Sequence, residues 1–383
     1  MVSPIRNRVV PYWCHEILSY ILAGRPAGSF RLLANRVFWD KFGRVLRHRT
    51  LALAGRVYCI QPLLHALALR PPHLHLELAN LCNADCVFCP YHYQEREPTL
   101  MSEAVFRKAV HDFVSIGGGP VGLTPIVGEA LIHPQFLERV RYLRSFPSIT
   151  SVFLTTNGIL LDRHGIDEVL DSGVTSIIIS TAGFERGMYR RVFRSDAYDR
   201  MRRNCQVLLE KNATRNHPIE VRIALRSDRP LHQVMSDPDF QPILAYHPPL
   251  TFHWAFGSAR RRIVPNSLPK PMLVEIKSGA RECCEYLLRG PIVLSDGTVL
   301  ACCCSPASMD AGDLALGHIM DSTLLDIWTG GRMRDLRLSF PRNCQVDTCS
   351  GCGQYEGLDL FRTPAGRRMA RLNLARYQST GHP

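Results

Sequence analysis

Apolar and polar residues alternate along residues 73–79, as they do in a strand with one buried face. Five later apolar runs have the length of buried strands, at residues 121–127, 151–154, 176–180, 219–225 and 250–254. Segments with helical periodicity separate these runs, at residues 102–115, 134–145, 163–171 and 198–211. Alternating strands and helices predict a parallel sheet covered by helices, and six strands are enough for a partial barrel.

The pattern changes after residue 256. Residues 257–280 are rich in proline and arginine and are typical of a connector between domains. Two apolar runs around Asp296-Gly297 then predict a β-hairpin over residues 291–301, followed by a helix from Leu324 to about Leu338. We therefore divide the chain into a helical extension, a barrel, a connector, a small α+β domain and a basic tail, at residues 1–70, 71–256, 257–280, 281–355 and 356–383.

Residues 1–70 have the pattern of two or three helices with basic side chains. Their most apolar stretch, residues 51–69, contains Arg56, Gln61 and His65. A membrane span needs about 20 residues almost free of charge, so this stretch does not predict one. Packing on the protein's own core is favoured over contact with a membrane surface.

Charge and cysteine content narrow the class of protein. The formal net charge is +12, but the excess is spread over many arginines, so we predict no nucleic-acid partner. The 14 cysteines cluster instead of following a disulfide pattern, and the N-terminus shows no secretory signal. We therefore expect reduced thiols and a cytoplasmic protein.

Three cysteines follow the first predicted strand, in the order Cys82-x-x-x-Cys86-x-x-Cys89. Chemistry in α/β folds is concentrated on loops at the C-terminal ends of strands. Three thiolates can hold a four-iron cluster while leaving one iron open to a ligand that is not protein, which indicates a reactive centre. The alternatives are a zinc knuckle or three unrelated cysteines.

The CxxxCxxC spacing, with Phe88 directly before the last cysteine, resembles the radical S-adenosylmethionine (SAM) superfamily. The resemblance implies an open (β/α)6 partial barrel in which the open iron binds the amino and carboxylate groups of SAM. It also implies that one electron cleaves SAM to a 5'-deoxyadenosyl radical, which takes a hydrogen atom from the substrate. An external electron donor such as flavodoxin or ferredoxin is then expected.

The loop after the second predicted strand resembles the superfamily's GGEP motif, with Val127 at the first glycine and Ala130 at the proline. The resemblance implies that this loop holds the SAM amino group through backbone oxygens and Glu129. Glycine lets a backbone approach a ligand closely, and a carboxylate can pair with an ammonium group. We predict Gly128 and Glu129 as SAM-binding residues.

Three further SAM-binding residues are predicted after the third and fourth strands. Asn157 lies in a segment similar to the family's TNG sequence, although a simple Asn-Gly turn explains it equally well. Ser180 ends the fourth strand, where related enzymes place a hydroxyl against the SAM ribose or carboxylate. The resemblance also implies one arginine against the carboxylate, among Arg190, Arg191 and Arg194, and Arg194 is our candidate.

The fifth predicted strand carries two further basic candidates, Arg222 and Arg226. They are four residues apart, so they share one face of the strand. A charged residue in a buried strand is unfavourable unless paired, so we expect both to face the cavity.

A second group of cysteines surrounds the predicted hairpin. Cys284 precedes it, Cys302 ends it, and Cys349 and Cys352 form a later CxxC pair. This order resembles the SPASM/Twitch extension of radical SAM enzymes, and no cysteine follows Cys352, so the Twitch form with one auxiliary four-iron cluster is expected. These four are our predicted ligands; a structural zinc is the alternative, and Cys344 or Cys283 can replace one of them.

Cys303 and Cys304 remain next to this predicted site. Each singly is explained by a spare buried thiol. Some related epimerases use a cysteine to return a hydrogen atom to the substrate radical, and this is the alternative role, with Cys304 preferred.

The resemblance indicates radical chemistry more firmly than it indicates a substrate. We expect oxidation or epimerisation of a small, sugar-like biosynthetic intermediate, because residues 1–70 show no strand pattern like that of peptide-recognition domains. A peptide or protein maturase with the same two clusters is the alternative, and a cluster-storage protein is a remote third.

Overall fold

The computed structural model describes most of the barrel and parts of the region after it. The described residues are 71–123, 127–259, 262–275, 284, 286–302, 312–339, 346–350 and 352. The predicted helical extension over residues 1–70 and the basic tail over residues 356–383 lie outside them. Among the described helices, none is long and apolar enough to cross a membrane.

Six parallel strands form the barrel sheet in chain order. They are β1 (Leu74–Leu76), β2 (Pro120–Leu123), β3 (Ser151–Thr156), β4 (Ser176–Thr181), β5 (Glu220–Arg226) and β6 (Leu250–His253). Each pairs with the next in parallel register, as Leu154 with Ile177 and Ile177 with Val221. The predicted parallel sheet is confirmed, with strand ends shifted by a few residues.

Seven helices lie between these strands or beside them in the described barrel. They are α1 (Glu103–Ser115), α2 (Phe136–Arg144), α3 (Ile166–Asp171), α4 (Arg186–Phe193), α5 (Tyr198–Ala213), α6 (Leu231–Met235) and α7 (Gln241–Leu244). Helix α1 begins after Ser102, whose hydroxyl accepts a hydrogen bond from the Val105 N–H at 3.2 Å. Helix α4 was not predicted, since it is short and carries three arginines, but it buries Tyr189 and Phe193.

The two faces of the sheet differ in burial. In β3 and β4, Val152, Leu154, Ile177 and Ile179 are fully buried in a core shared with the helices. The alternate residues on the other side are half-buried, and we call that side the inner face. It carries Phe153, Thr155, Ile178 and Ser180.

The strands of the second cysteine region continue the same sheet. Strands β9 (Ile292–Val293), β10 (Thr298–Leu300) and β11 (Ala315–His318) extend it beyond β1, giving nine strands. Strand β9 runs parallel to β1, and β9 and β10 form the predicted antiparallel hairpin. Gly297 in its turn has φ +97°, a backbone conformation that favours glycine.

The remaining described elements are short. Strands β7 (Ala255–Gly257) and β8 (Leu273–Glu275) form a separate parallel pair, and the helices are α8 (Tyr286–Arg289), α9 (Leu324–Thr329), α10 (Gly331–Ser339) and α11 (Asp347–Ser350). The single helix predicted from Leu324 to Leu338 is wrong in one respect. Gly330 has an extended backbone, with ψ 169°, and divides it into α9 and α10. The fold class is nevertheless confirmed over the described residues: a mostly parallel α/β sheet of the partial-barrel type, followed by a small α+β region.

Candidate functional site

The three cysteines of the CxxxCxxC motif lie on the loop that follows β1, and all three are half-buried. We call residues 82–89 the cysteine loop. The N–H of Cys89 donates to the carbonyl of Cys86 at 3.0 Å. The thiol of Cys89 in turn caps a short turn of 3-10 helix, Pro90–Tyr93, by accepting the Tyr91 N–H at 3.5 Å. Local hydrogen bonds therefore define the path of this loop before any metal is considered.

The C-terminal turn of helix α4 packs against the cysteine loop. The N–H groups of Asp85 and Val87 donate to the carbonyls of Phe193 and Val192, at 3.2 and 2.9 Å. These carbonyls belong to the last turn of α4, where backbone acceptors lack helical partners. Phe88 lies edge-on to Phe193, with ring centroids 5.6 Å apart. The loop is thus held by backbone bonds and aromatic packing.

Burial affects the thiols of the cysteine loop. It raises the pKa of Cys82 to about 12 and that of Cys89 to about 11, and it raises the pKa of Cys86 as well. Thiols whose pKa is raised in this way become thiolates beside a positive charge, which a metal centre supplies. Within the described ranges no three metal-binding side chains converge on a single ion. A four-iron cluster takes one thiolate at each iron, so three cysteines along one loop fit that group.

The loop after β2 lies directly against the residues that lead from β1 into the cysteine loop. Gly128 has φ +85°, and a Cβ atom there would be 2.0 Å from the carbonyl oxygen of Ala79. The N–H of Glu129 donates to the carbonyl of Leu81 at 2.7 Å. Only glycine allows this approach, which is the physical reason for the Gly-Glu pair predicted from the sequence.

The carboxylate of Glu129 joins the ends of β2 and β3. It is 1% exposed and accepts hydrogen bonds from the Thr156 hydroxyl and the Asn157 N–H, both at 2.9 Å, and from the Leu131 N–H at 3.2 Å. Burial raises the pKa of Glu129 to about 7, although these three bonds oppose the shift. A cation next to this carboxylate would favour its charged form.

Asn157 connects the loop after β3 to the cysteine loop. Its amide nitrogen donates to the side-chain oxygen of Asn83 at 2.7 Å and lies 3.9 Å from the Cys82 thiol. Its amide oxygen accepts the Ile159 N–H at 3.0 Å, as in an Asx-type turn. The Asn-Gly turn is therefore present, and direct contact of Asn157 with SAM stays a prediction.

The inner face brings Ser180 and Arg226 to the same end of the sheet. Ser180 pairs in register with Ala224, two residues before Arg226. The guanidinium of Arg226 lies 5.5 Å from the centroid of the Phe88 ring, and its Nη1 is buried without a hydrogen-bond partner in the described chain. Burial lowers the pKa of Arg226, while Cys86 and Cys89 act in the opposite direction. Arg226 is therefore a cation facing the cysteine loop.

The arginines that follow Ser180 are all paired with aspartates. Arg194 ends α4 with φ +48° and lies 3.3 Å from the carboxylate of Asp85, inside the cysteine loop. Arg190 pairs with Asp196, and Arg191 pairs with Asp228. The structure places Arg194 near the cluster site but half exposed, and its role at the SAM carboxylate stays a prediction.

One buried group of the inner face was not singled out from the sequence. Glu77, in the loop just after β1, is fully buried and forms two 2.8 Å bonds with the Arg96 guanidinium. It also accepts the N–H and the hydroxyl of Ser295, at 3.1 and 2.9 Å. The available signal was a glutamate at an alternating position between Leu76 and Leu78, where a buried charge needs partners.

The four predicted auxiliary ligands lie around one small core. Cys284 and Cys302 belong to a buried cluster with Trp328, and Cys349 and Cys352 pack against it. The N–H of Cys352 donates to the carbonyl of Cys349 at 3.2 Å, which closes the CxxC turn. All four cysteines thus contact one core, and their role as ligands of an auxiliary cluster stays a prediction. The other candidates of this region lie outside the described residues: Cys283, Cys303, Cys304 and Cys344.

The barrel and the second cysteine region each match a known protein family. Residues 76–223 match the radical SAM superfamily, and residues 283–353 match SPASM, an iron–sulfur cluster-binding domain. The first match covers the cysteine loop and the end of β4. The second covers all four predicted auxiliary ligands.

Curated relatives match over part of their length. A GTP 3',8-cyclase of Pasteurella multocida is 27% identical over 188 residues, which are 48% of this chain and 52% of the relative. A GTP 3',8-cyclase of Chlorobaculum tepidum is 25% identical over 137 residues, 36% of this chain and 41% of the relative. The chain thus spans about half or less of the length of these relatives.

Solved structures share the fold at low sequence identity. SuiB of Streptococcus suis, bound to its precursor peptide SuiA, superposes with a TM-score of 0.53 and 11% identity, covering 77% of this chain and 74% of that one. With the two domain matches, the cofactors are a SAM-binding [4Fe–4S] cluster, SAM and an auxiliary cluster. The protein is a member of the radical SAM superfamily with a C-terminal SPASM-type cluster-binding domain.

Proposed function

We propose that this enzyme removes a hydrogen atom from a hydroxyl-bearing carbon of a small, sugar-like biosynthetic intermediate, oxidising or epimerising it. The observation that supports radical chemistry is the meeting of three loops at one end of the sheet. These are the cysteine loop, the Gly128-Glu129 loop and the loop that begins at Asn157. The substrate class is our proposal and goes beyond the family match.

The protein's own residues bind and orient the reactants. Cys82, Cys86 and Cys89 hold the first cluster, and Glu129 receives the SAM ammonium group. When bound, the first cluster supplies the electron that cleaves SAM to a 5'-deoxyadenosyl radical, and the auxiliary cluster supplies a one-electron acceptor. Arg226 is placed to pair with a carboxylate near the cysteine loop, with the half-exposed Arg194 as the second candidate.

The inner face supports a hydroxylated substrate. Thr155, Ser180 and Thr251 are half-buried there, and Thr251 pairs in register with Ala224 next to Ser180 in the sheet. Hydroxyl side chains both donate and accept hydrogen bonds, as the hydroxyls of a sugar do. A ring with several hydroxyls would therefore find partners on β3, β4 and β6, with Ala224 of β5 between the last two.

The test is turnover with defined substrates. Reconstituted, reduced enzyme is incubated with SAM and a panel of sugars and aminocyclitols carrying deuterium at single carbons. We expect 5'-deoxyadenosine to form with product and to carry deuterium from one hydroxyl-bearing carbon. Turnover with peptides and none with the panel would contradict the proposal, and a Cys82, Cys86 and Cys89 triple alanine variant is the control.

A peptide or protein maturase is the second candidate. It is favoured by the fold likeness to SuiB, which binds its precursor peptide, and to anSMEcpe with AdoMet and the Cp18Cys peptide, whose TM-score is 0.50 at 13% identity, covering 80% of this chain and all of that one. For either substrate we propose a cytoplasmic enzyme that receives electrons from flavodoxin or ferredoxin. The same incubation with precursor-like peptides distinguishes the two candidates.

A further inference from the structure

Tyr189 lies directly behind the cysteine loop. It is one turn before Phe193 in α4, and the two rings stack with centroids 5.1 Å apart. Phe193 in turn contacts Phe88 and accepts the Asp85 N–H through its carbonyl. The ring of Tyr189 therefore belongs to the layer that supports the three cysteines.

The hydroxyl of Tyr189 has an unusual environment. The residue is 0% exposed, and its hydroxyl has no hydrogen-bond partner among the residues that the structure describes. A buried hydroxyl without a partner destabilises the folded state, so a phenylalanine would be the more stable choice for packing alone. The hydroxyl thus indicates a partner beyond the residues that the structure describes.

The groups around this hydroxyl identify the partner. Burial raises the pKa of Tyr189 above its ordinary value, and the nearby Cys86, Cys82 and Glu129 raise it further. The hydroxyl therefore keeps its proton at neutral pH and can only be a donor towards a negative neighbour. Cys86 and Cys82, which influence the hydroxyl more than Glu129 does, are two of the three cluster ligands.

We propose that Tyr189 donates a hydrogen bond to the sulfur atoms of the SAM-binding cluster and thereby raises its reduction potential. Hydrogen bonds to sulfur are a general means of adjusting the potential of iron–sulfur clusters. Reduction adds negative charge, so a donor stabilises the reduced state more than the oxidised one. Tyr189 is thus a positioning residue of the radical centre, and this role is independent of the substrate.

Tyr198 provides a matched control. Its ring lies 5.8 Å from that of Tyr189, and it is almost as deeply buried. Its hydroxyl, however, donates to the carboxylate of Asp239 at 2.6 Å. Removal of the Tyr198 hydroxyl alters the same group of packed aromatic rings but removes no hydrogen-bond donor from the cluster.

The test is a redox titration of the reconstituted protein, with electron paramagnetic resonance as the readout. SAM is present so that the signal of the SAM-binding cluster can be recognised. We expect Tyr189→Phe to shift the ratio of reduced to oxidised cluster about tenfold towards the oxidised form at fixed potential, which is ~59 mV for one electron. Tyr198→Phe should leave the potential unchanged. An unchanged potential in Tyr189→Phe with full iron content would overturn the proposal.

A second variant covers the case in which Tyr189→Phe does not retain its cluster. Replacement of Tyr189 by 3-fluorotyrosine strengthens the O–H donor while nearly preserving its shape. The potential should then shift in the positive direction. A potential equal to that of the wild type would overturn the proposal, whatever the fate of the phenylalanine variant.

Discussion

The Glu77 carboxylate accepts both the N–H and the hydroxyl of Ser295, at 3.1 and 2.9 Å, across 218 residues of sequence. Its remaining acceptor positions bind the guanidinium of Arg96. Both ends of this ion pair are almost completely buried. One carboxylate therefore connects the barrel, the loop after the cysteines and the hairpin of the second domain.

Replacement of Arg96 by leucine should destabilise the protein strongly. It would leave the Glu77 charge buried without its counter-ion, which costs about 3–5 kcal/mol in comparable cases. Denaturant unfolding of the apo protein measures the loss. The control is Arg107→Leu, because Arg107 and Glu103 form an exposed pair whose removal should change little. Equal losses in the two variants would contradict the role assigned to Arg96.

The Gly128→Ala variant should lose SAM binding and most of its iron. The new methyl group would clash with the Ala79 carbonyl, and the φ of +85° at this position is unfavourable for alanine. The free energy of unfolding should therefore fall by more than ~1 kcal/mol. Gly331→Ala is the matched control, since a Cβ there meets nothing within 4 Å. Iron content and the equilibrium affinity for SAM are measured for both variants. Normal SAM affinity in Gly128→Ala would refute the close approach of Gly128 to the Ala79 carbonyl.

Glu129→Gln should weaken SAM binding roughly 10- to 100-fold, because a hydrogen bond to a charged group contributes about 1.5–3 kcal/mol. Glutamine also places an N–H₂ group against donors, since all three partners of Glu129 donate to it. Calorimetric titration with SAM measures the effect, with the exposed Glu103→Gln as control. Stability loss with unchanged SAM affinity would restrict Glu129 to a structural role.

Iron and sulfide analysis tests the two cluster sites separately. The reconstituted wild type should contain about eight irons, and the Cys82, Cys86 and Cys89 triple alanine variant about four, on the usual stoichiometry of cysteine-bound clusters. The triple variant should also lose SAM cleavage. Four irons in the wild type, or zinc in place of the others, would refute the auxiliary [4Fe–4S] cluster.

The stability of the protein should fall as the pH decreases from 6.5 towards 4, in part because of His133. Burial, with Arg139 nearby, lowers the pKa of His133 to about 4, and the ring is 3% exposed. Between these pH values the unfolded chain binds the proton and the folded one does not, so acid favours unfolding, by ~3 kcal/mol at most. His133→Asn should show a shallower pH dependence in thermal denaturation, whereas exposed His217→Asn should follow the wild type.

The position of the cluster site at one end of the sheet was predictable from the order of the parallel strands. Carboxyl ends of consecutive parallel strands meet at one edge, so the motif after β1 and the Gly-Glu pair after β2 had to be neighbours. Their hydrogen bonds, such as Glu129 to Asn157, follow from that placement.

The contacts that were missed join segments without a shared local pattern. Glu77 finds partners 19 and 218 residues away, and no periodicity in the sequence relates them. Helix α4 is only eight residues long, and it was missed although its buried side, with Tyr189 and Phe193, follows helical spacing. The division of the helix at Gly330 depends on a backbone angle that the preceding apolar residues do not indicate.

The pairing of β9 with β1 affects the behaviour expected of an isolated barrel fragment. The N–H groups of His75 and Glu77 donate to Pro291 and Val293, at 3.1 and 3.0 Å. A fragment ending before residue 281 would lose these acceptors, and β1 would become an unprotected edge strand. Such edges pair readily with other chains, so this fragment should aggregate. The second domain therefore also protects the rim of the sheet that carries the radical centre.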